Sequence, residues 1–124
     1  MALFHDEPAA PEVEKLLQKA ASGTHKLLMC VVNWGEIYYS VMRGVSAETA
    51  EQKAKEIAAV PIELVPVGAD LHLARQAAIY KATYKISYAD AFAAALAKIQ
   101  KVELVTGDRA FKSLEKEIKI AWLQ

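Results

Sequence analysis

Three observations predict an α/β domain in which a mainly parallel sheet lies between layers of helices. A short continuous apolar run at 27–32 reads as a strand covered on both faces, and the largely apolar segments at 62–67 and 102–106 read as a second strand and a third, buried one. Segments of helical periodicity separate these runs, and Gly, Pro or polar residues bound them. Strands that alternate with helices imply a three-layer fold with right-handed crossovers. The chain has 124 residues, which suits a single domain over 1–124 with a core that needs no disulfide or structural metal.

The elements follow in order. Asp6, Glu7 and Pro8 form an acidic, proline-bearing turn that opens a helix with Val13, Leu16, Leu17 and Ala20 on its apolar face, and Ser22-Gly23 ends it. The strand at 27–32 comes next. Asn33 caps a second helix that carries Ile37, Tyr38, Val41 and Met42 and stops at Gly44. Ser46 caps a third, rich in Ala, Glu and Lys, that runs to about Ala59. The strand at 62–67 has Pro66 at its end, where a missing N–H does least harm. Two helices follow at 69–84 and 87–100, the second packed with small residues. The last strand, at 102–106, leads through Gly107 to a short helix at about 110–115, and 118–123 shows mild alternation.

Composition excludes several classes. Fifteen Lys plus Arg balance fifteen Asp plus Glu, so bulk charge does not mark a polybasic nucleic-acid binder; affinity for phosphate must come from a local patch. The single cysteine, Cys30, excludes a disulfide framework and a paired-cysteine zinc site, and its apolar surroundings predict a small buried thiol. No apolar stretch approaches the ~20 residues of a membrane span. The N-terminus has no basic segment followed by an apolar one, so a cytoplasmic location is expected.

Three acids stand out by their company. Glu36 is the only charged residue between Leu27 and Met42, and Asp90 the only one between Ile86 and Ala97. A lone carboxylate in apolar surroundings costs several kcal/mol unless something compensates it. Asp108 lies just past the strand at 102–106 and Glu36 about one helical turn past the strand at 27–32, at the carboxyl ends where open parallel sheets bind ligands. Asp90 falls in the first turn of its helix. Oxygen donors without His or Cys favour a hard cation, Mg²⁺ or Mn²⁺, over zinc. Each acid also has a structural reading: Asp90 with Ser87 as a reciprocal cap, Glu36 paired with Arg43, and Asp108 as turn and helix cap.

The segments Asn33-Trp34-Gly35-Glu36-Ile37, Ile86-Ser87-Tyr88-Ala89-Asp90-Ala91-Phe92 and Leu104-Val105-Thr106-Gly107-Asp108-Arg109-Ala110-Phe111 together resemble the PIN-domain ribonucleases, and among them the short VapC-type toxins. Their order and spacing match over essentially the whole chain. The resemblance implies Glu36, Asp90 and Asp108 as ligands of Mg²⁺ or Mn²⁺ in RNA phosphodiester hydrolysis. Thr106 would orient Asp108 or a metal-bound water. A cation-activated water attacking phosphorus in line is consistent with these residues, and no Ser-His or Cys-His nucleophile is visible. The resemblance also implies an antitoxin partner and a homodimer.

Two departures qualify it. The family begins with a central strand ending in an Asp ligand, whereas segment 1–8 resembles the family's stretch just beyond that motif; the chain thus reads as lacking the first strand and its Asp, through a downstream start or a truncation. Asp6 and Glu7 read as acids favoured at a helix start rather than replacements. Ala110 stands where many relatives carry another acid. Arg43, Lys81, Lys85, Lys98, Lys101, Arg109 and Lys112 can rim an acidic cleft, and Trp34 and Tyr88 flank two of the acids, with core packing the expected role of both. The alternative reading is a non-catalytic PIN-like module that binds RNA or a protein partner.

Overall fold

The computed structural model describes the backbone of residues 10–123 and side chains from Glu14 onward. The predicted acidic turn at Asp6–Pro8, the question of a preceding strand and the side chain of Val13 lie outside the described residues. Helix α1 (Ala10–Ala21) leads to strand β1 (Leu27–Cys30), which passes without a loop into α2 (Val31–Gly44). Helix α3 (Ala47–Ala58), strand β2 (Ile62–Val65), and helices α4 (His72–Thr83) and α5 (Tyr88–Gln100) follow. Strand β3 (Leu104–Thr106), a 3-10 turn (Arg109–Leu114) and strand β4 (Ile120–Trp122) complete the chain.

Local chemistry sets most of these bounds. Ser46 and Ser87 cap α3 and α5 as predicted, each accepting a hydrogen bond from a backbone N–H three residues on. The fourth helix starts later than its periodicity predicts, at His72, because Leu71 takes a left-handed conformation (φ 63°) and Asp70 Oδ1 accepts from His72 N–H. The first strand is shorter than predicted, since Val31 and Val32 form the opening turn of α2. Pro66 follows the last paired residue of β2, as predicted.

All strand pairing is parallel. β1 runs beside β2 with Leu27 opposite Ile62 and Cys30 opposite Val65, and β3 beside β4 with Leu104 opposite Ile120 and Thr106 opposite Trp122. Among the described residues these are two two-stranded sheets, with no ladder joining them. Both belong to one layer. Leu28 and Cys30 of β1 and Leu104 of β3 pack into the core built on α4 and α5. On the opposite face, Leu27 and Val105 share a cluster with Leu16, Leu17 and Ala20 of α1, while Met29 packs with Ile37 of α2 and Ile57 of α3. β1 and β3 are buried throughout, whereas β2 and β4 are partly exposed. The buried strands are therefore the inner ones, and within the described residues each has a ladder on one edge only.

The run Ala91–Ala97 of α5 is wholly buried, and its small side chains let α4 approach through Leu73, Ala77 and Tyr80. Cys30 is the buried thiol expected from the sequence, and desolvation pushes its pKa up. The Tyr80 hydroxyl is buried without a hydrogen-bond partner among the described residues. Removing an unsatisfied buried hydroxyl while keeping the ring relieves its desolvation cost. Tyr80→Phe is therefore expected to leave stability unchanged or raise it by up to about 1 kcal/mol in urea melts; a loss of more than that shows that the hydroxyl has a partner.

Candidate functional site

Each parallel pair places its carboxyl ends on one edge, where β1 enters α2 in one pair and β3 leads into the 3-10 turn in the other. Helix α5 brings its N-terminus to the same region. Asp90, in its first turn, is only 9% exposed. Its backbone N–H donates to Ser87 Oγ at 3.1 Å, the Ser87 half of the capping interaction predicted from the sequence. A carboxylate here is also favoured by the helix dipole.

Asn33 ties this helix to α2. Sequence reasoning made Asn33 the cap of α2, but that helix begins at Val31 with Cys30 at its N-cap and no side-chain cap. Asn33 thus falls inside the first turn, 4% exposed, and its Nδ2 donates to the Ala89 carbonyl oxygen at 2.9 Å. Its Oδ1 is buried with no hydrogen-bond partner among the described residues. Glu36 lies about one turn further along the same face and is half-buried.

The third acid is fixed by local turn chemistry. Thr106, 2% exposed, accepts a hydrogen bond from Asp108 N–H at 3.0 Å. Asp108 Oδ1 in turn accepts from Ala110 N–H at 2.9 Å and caps the 3-10 turn. The structural reading of Asp108 thus describes one of its oxygens. A surface cavity lined by Lys81, Thr83, Tyr84, Lys85, Ser87 and Ala110 joins this segment to the start of α5.

Among the described residues, no three His, Cys, Asp or Glu side chains crowd together as ligands of one ion. The arrangement still fits a hydrated hard cation. Its donors are carboxylate oxygens, and Mg²⁺ is commonly held by one or two carboxylates while keeping several waters. Such an ion needs nearby acceptors for its water shell, and Asn33 Oδ1 is an acceptor with no partner among the described residues.

The flanking residues divide. Trp34 is half-buried, stacks on Tyr38 at 5.4 Å and packs against the Met29–Ile37–Ile57 cluster, as expected of a core residue. Tyr88 is 49% exposed with one side against Phe92, so the expected core role does not describe it. Arg43 lies over the Tyr39 ring, 5.9 Å from its centroid, on the exposed end of α2. Arg109 lies over Trp122 at 5.4 Å. The residue that sequence reasoning misplaced is Asn33; a polar side chain three positions before a lone acid, inside an apolar run, was the available signal.

The family model of the PIN domain matches residues 1–117. The chain belongs to the PIN-domain family. Its fold is similar to that of a chain in the crystal structure of VapBC2 from Rickettsia felis bound to a DNA fragment from their promoter. That match has a TM-score of 0.71 at 15% identity and covers 99% of this chain and 91% of that one. DNA-bound VapBC from Salmonella typhimurium matches with a TM-score of 0.71 at 11% identity, covering 99% and 90%. A toxin–antitoxin complex from Klebsiella pneumoniae matches with a TM-score of 0.60 at 14% identity, covering 98% and 89%. No curated protein sequence matches the chain. Among the described residues of this PIN domain, no helix is long and apolar enough to cross a membrane.

Proposed function

We propose that this PIN domain is a divalent-metal-dependent endoribonuclease, the VapC-type toxin of a toxin–antitoxin pair. The observation that carries the reading is Asp90, a buried carboxylate at the start of α5 whose neighbour Ala89 is tied to Asn33, one turn from Glu36. Glu36, Asp90 and Asp108 are the residues that would hold Mg²⁺ or Mn²⁺. A cation bound there supplies charge neutralisation at a phosphodiester and lowers the pKa of the attacking water.

The chain's own groups suit the remaining tasks. Thr106 and the Ala110 N–H fix Asp108 from both sides, so one carboxylate oxygen keeps its orientation while the other is left for a ligand. The exposed Lys85, two residues before the Ser87 cap, and Lys112, four residues after Asp108, can contact backbone phosphates. Lys81 donates to the Ile86 carbonyl at 2.7 Å, which fixes the turn leading into Ser87. The exposed Tyr88 ring offers a stacking surface for a base that has left a helix, a contact typical of single-stranded RNA.

An antitoxin is the proposed protein partner, by analogy with the similar complexes. Tyr39, Met42 and Val45, each at least half exposed along the end of α2, are apolar groups that a partner or a second copy can cover. The absence of a crowded acid cluster among the described residues favours a second reading, a PIN-like module that binds RNA or protein without cutting.

A single assay separates the two. The nuclease cuts a structured RNA in Mn²⁺ or Mg²⁺, stops with EDTA and resumes when the cation is restored. Cleavage is expected to be strongest when an apolar strand bearing Asp is supplied between β1 and β3. An intact fold that stays inert with that strand in place overturns the enzyme reading.

A further inference from the structure

The buried amide of Asn33 supports an inference that rests on the metal-dependent reading. Nδ2 is used, donating to the Ala89 carbonyl across the α2–α5 junction, while Oδ1 is buried and accepts nothing among the described residues. A buried acceptor left unsatisfied costs about 1–3 kcal/mol, and a helix clamp needs only the donor. Glu36 is one turn further along α2 from this amide, and Asp90 follows the residue that Asn33 holds.

We propose that Asn33 is a positioning residue for the metal, with Oδ1 accepting a hydrogen bond from the hydration shell of a divalent cation held at Glu36 and Asp90. An ion bound by few carboxylates keeps several waters, and each presents only O–H donors to the protein. A neutral amide oxygen meets those donors without adding to the repulsion between two neighbouring carboxylates. Through Nδ2 the same side chain sets the spacing of the helices that carry them. Outer partners of this kind orient a bound ion, and their loss typically costs 10–100-fold in affinity.

The test is Mn²⁺ binding to the 124-residue chain, followed by electron paramagnetic resonance, with thermal melts of each variant. Asn33→Leu is expected to weaken Mn²⁺ binding about tenfold or more, and Asn33→Gln, which keeps both an amide donor and an acceptor, to bind more tightly than Asn33→Leu. Cobalt(III) hexammine, which offers only outer-sphere donors, is expected to displace Mn²⁺ from the unaltered chain and to bind Asn33→Leu poorly. If the leucine variant does not fold, Asn33→Ser, too short to reach, is expected to show the same loss.

Unchanged Mn²⁺ affinity in the leucine or serine variant, with only a lower melting temperature, makes Asn33 a simple clamp and overturns the proposal. Equal losses in folded Asn33→Leu and Asn33→Gln overturn it as well. Binding that survives Asn33→Leu but is lost in Asp90→Asn removes this inference and leaves the metal reading standing. No binding by the unaltered chain overturns the inference, and the metal reading falls with it only if the chain carrying the added Asp-bearing strand binds no Mn²⁺ either.

Discussion

Extending the chain ahead of Met1 with a short apolar strand that ends in Asp is expected to raise the melting temperature by roughly 10 °C, a gain of a few kcal/mol. The reason lies in β1 and β3. Both are fully buried, both meet the α1 cluster on one face and the α5 core on the other, and within the described residues each has a ladder on its outer edge alone. A strand laid between them parallel to β1 hydrogen-bonds on two edges at once, at about 1 kcal/mol net per bond, and buries side chains against two apolar layers. Ordering the added residues at about 1–2 kcal/mol each offsets much of this, which keeps the expected gain modest. The topology allows it, because α1 then becomes the crossover from the added strand to β1, in the right-handed sense that parallel connections take. Calorimetry of the extended chain, beside a control whose extension is rich in Gly and Ser, measures the effect. Equal melting temperatures in the two mean that the inner edges need no further strand. The Asp at the strand's end adds a separate readout: Mn²⁺-dependent RNA cleavage is expected to rise in the Asp form and not in its Asn counterpart.

The same features explain what the sequence made legible. Short, largely apolar segments bounded by turn residues leave little room for a helix, so β1, β2 and β3 are legible and only their ends differ. Caps built on a serine hydroxyl, at Ser46 and Ser87, are local chemistry and were read correctly. The early start of α2 was hidden because Val31 and Val32 continue an apolar run that suits strand and helix turn alike; once they became helical, Asn33 moved from cap to core. The Asn33–Ala89 contact spans 56 residues and leaves no local trace. The exposure of Tyr88 was also out of reach, since an aromatic beside a buried acid reads as core until the helix face is known. The isolation of Glu36 and Asp90 among apolar residues, by contrast, was plain from the sequence, because charge in such company is costly wherever the chain folds.

Asp90→Asn is expected to reduce metal-dependent cleavage by at least about a hundredfold, equivalent to about 3 kcal/mol at the transition state, while the fold survives. The substitution keeps the side chain's shape. Ser87 caps the backbone N–H of residue 90 rather than its carboxylate, so the start of α5 persists. What is lost is one negative charge at a site 9% exposed, where an amide oxygen is a much weaker ligand for a hard cation than a carboxylate. Asp108→Asn provides the comparison. Asparagine caps helices about as well as aspartate, so the bond from Ala110 N–H is retained and stability is expected to hold within about 0.5 kcal/mol, while Mn²⁺ affinity falls. The paired result distinguishes the readings. If both acids are purely structural, the two variants are silent in every Mn²⁺ and RNA assay. A metal role weakens Mn²⁺ binding in both at near-constant stability. Mn²⁺ titration beside thermal melts reads the two quantities independently, and unaltered Mn²⁺ affinity in Asp90→Asn removes the metal from the mechanism.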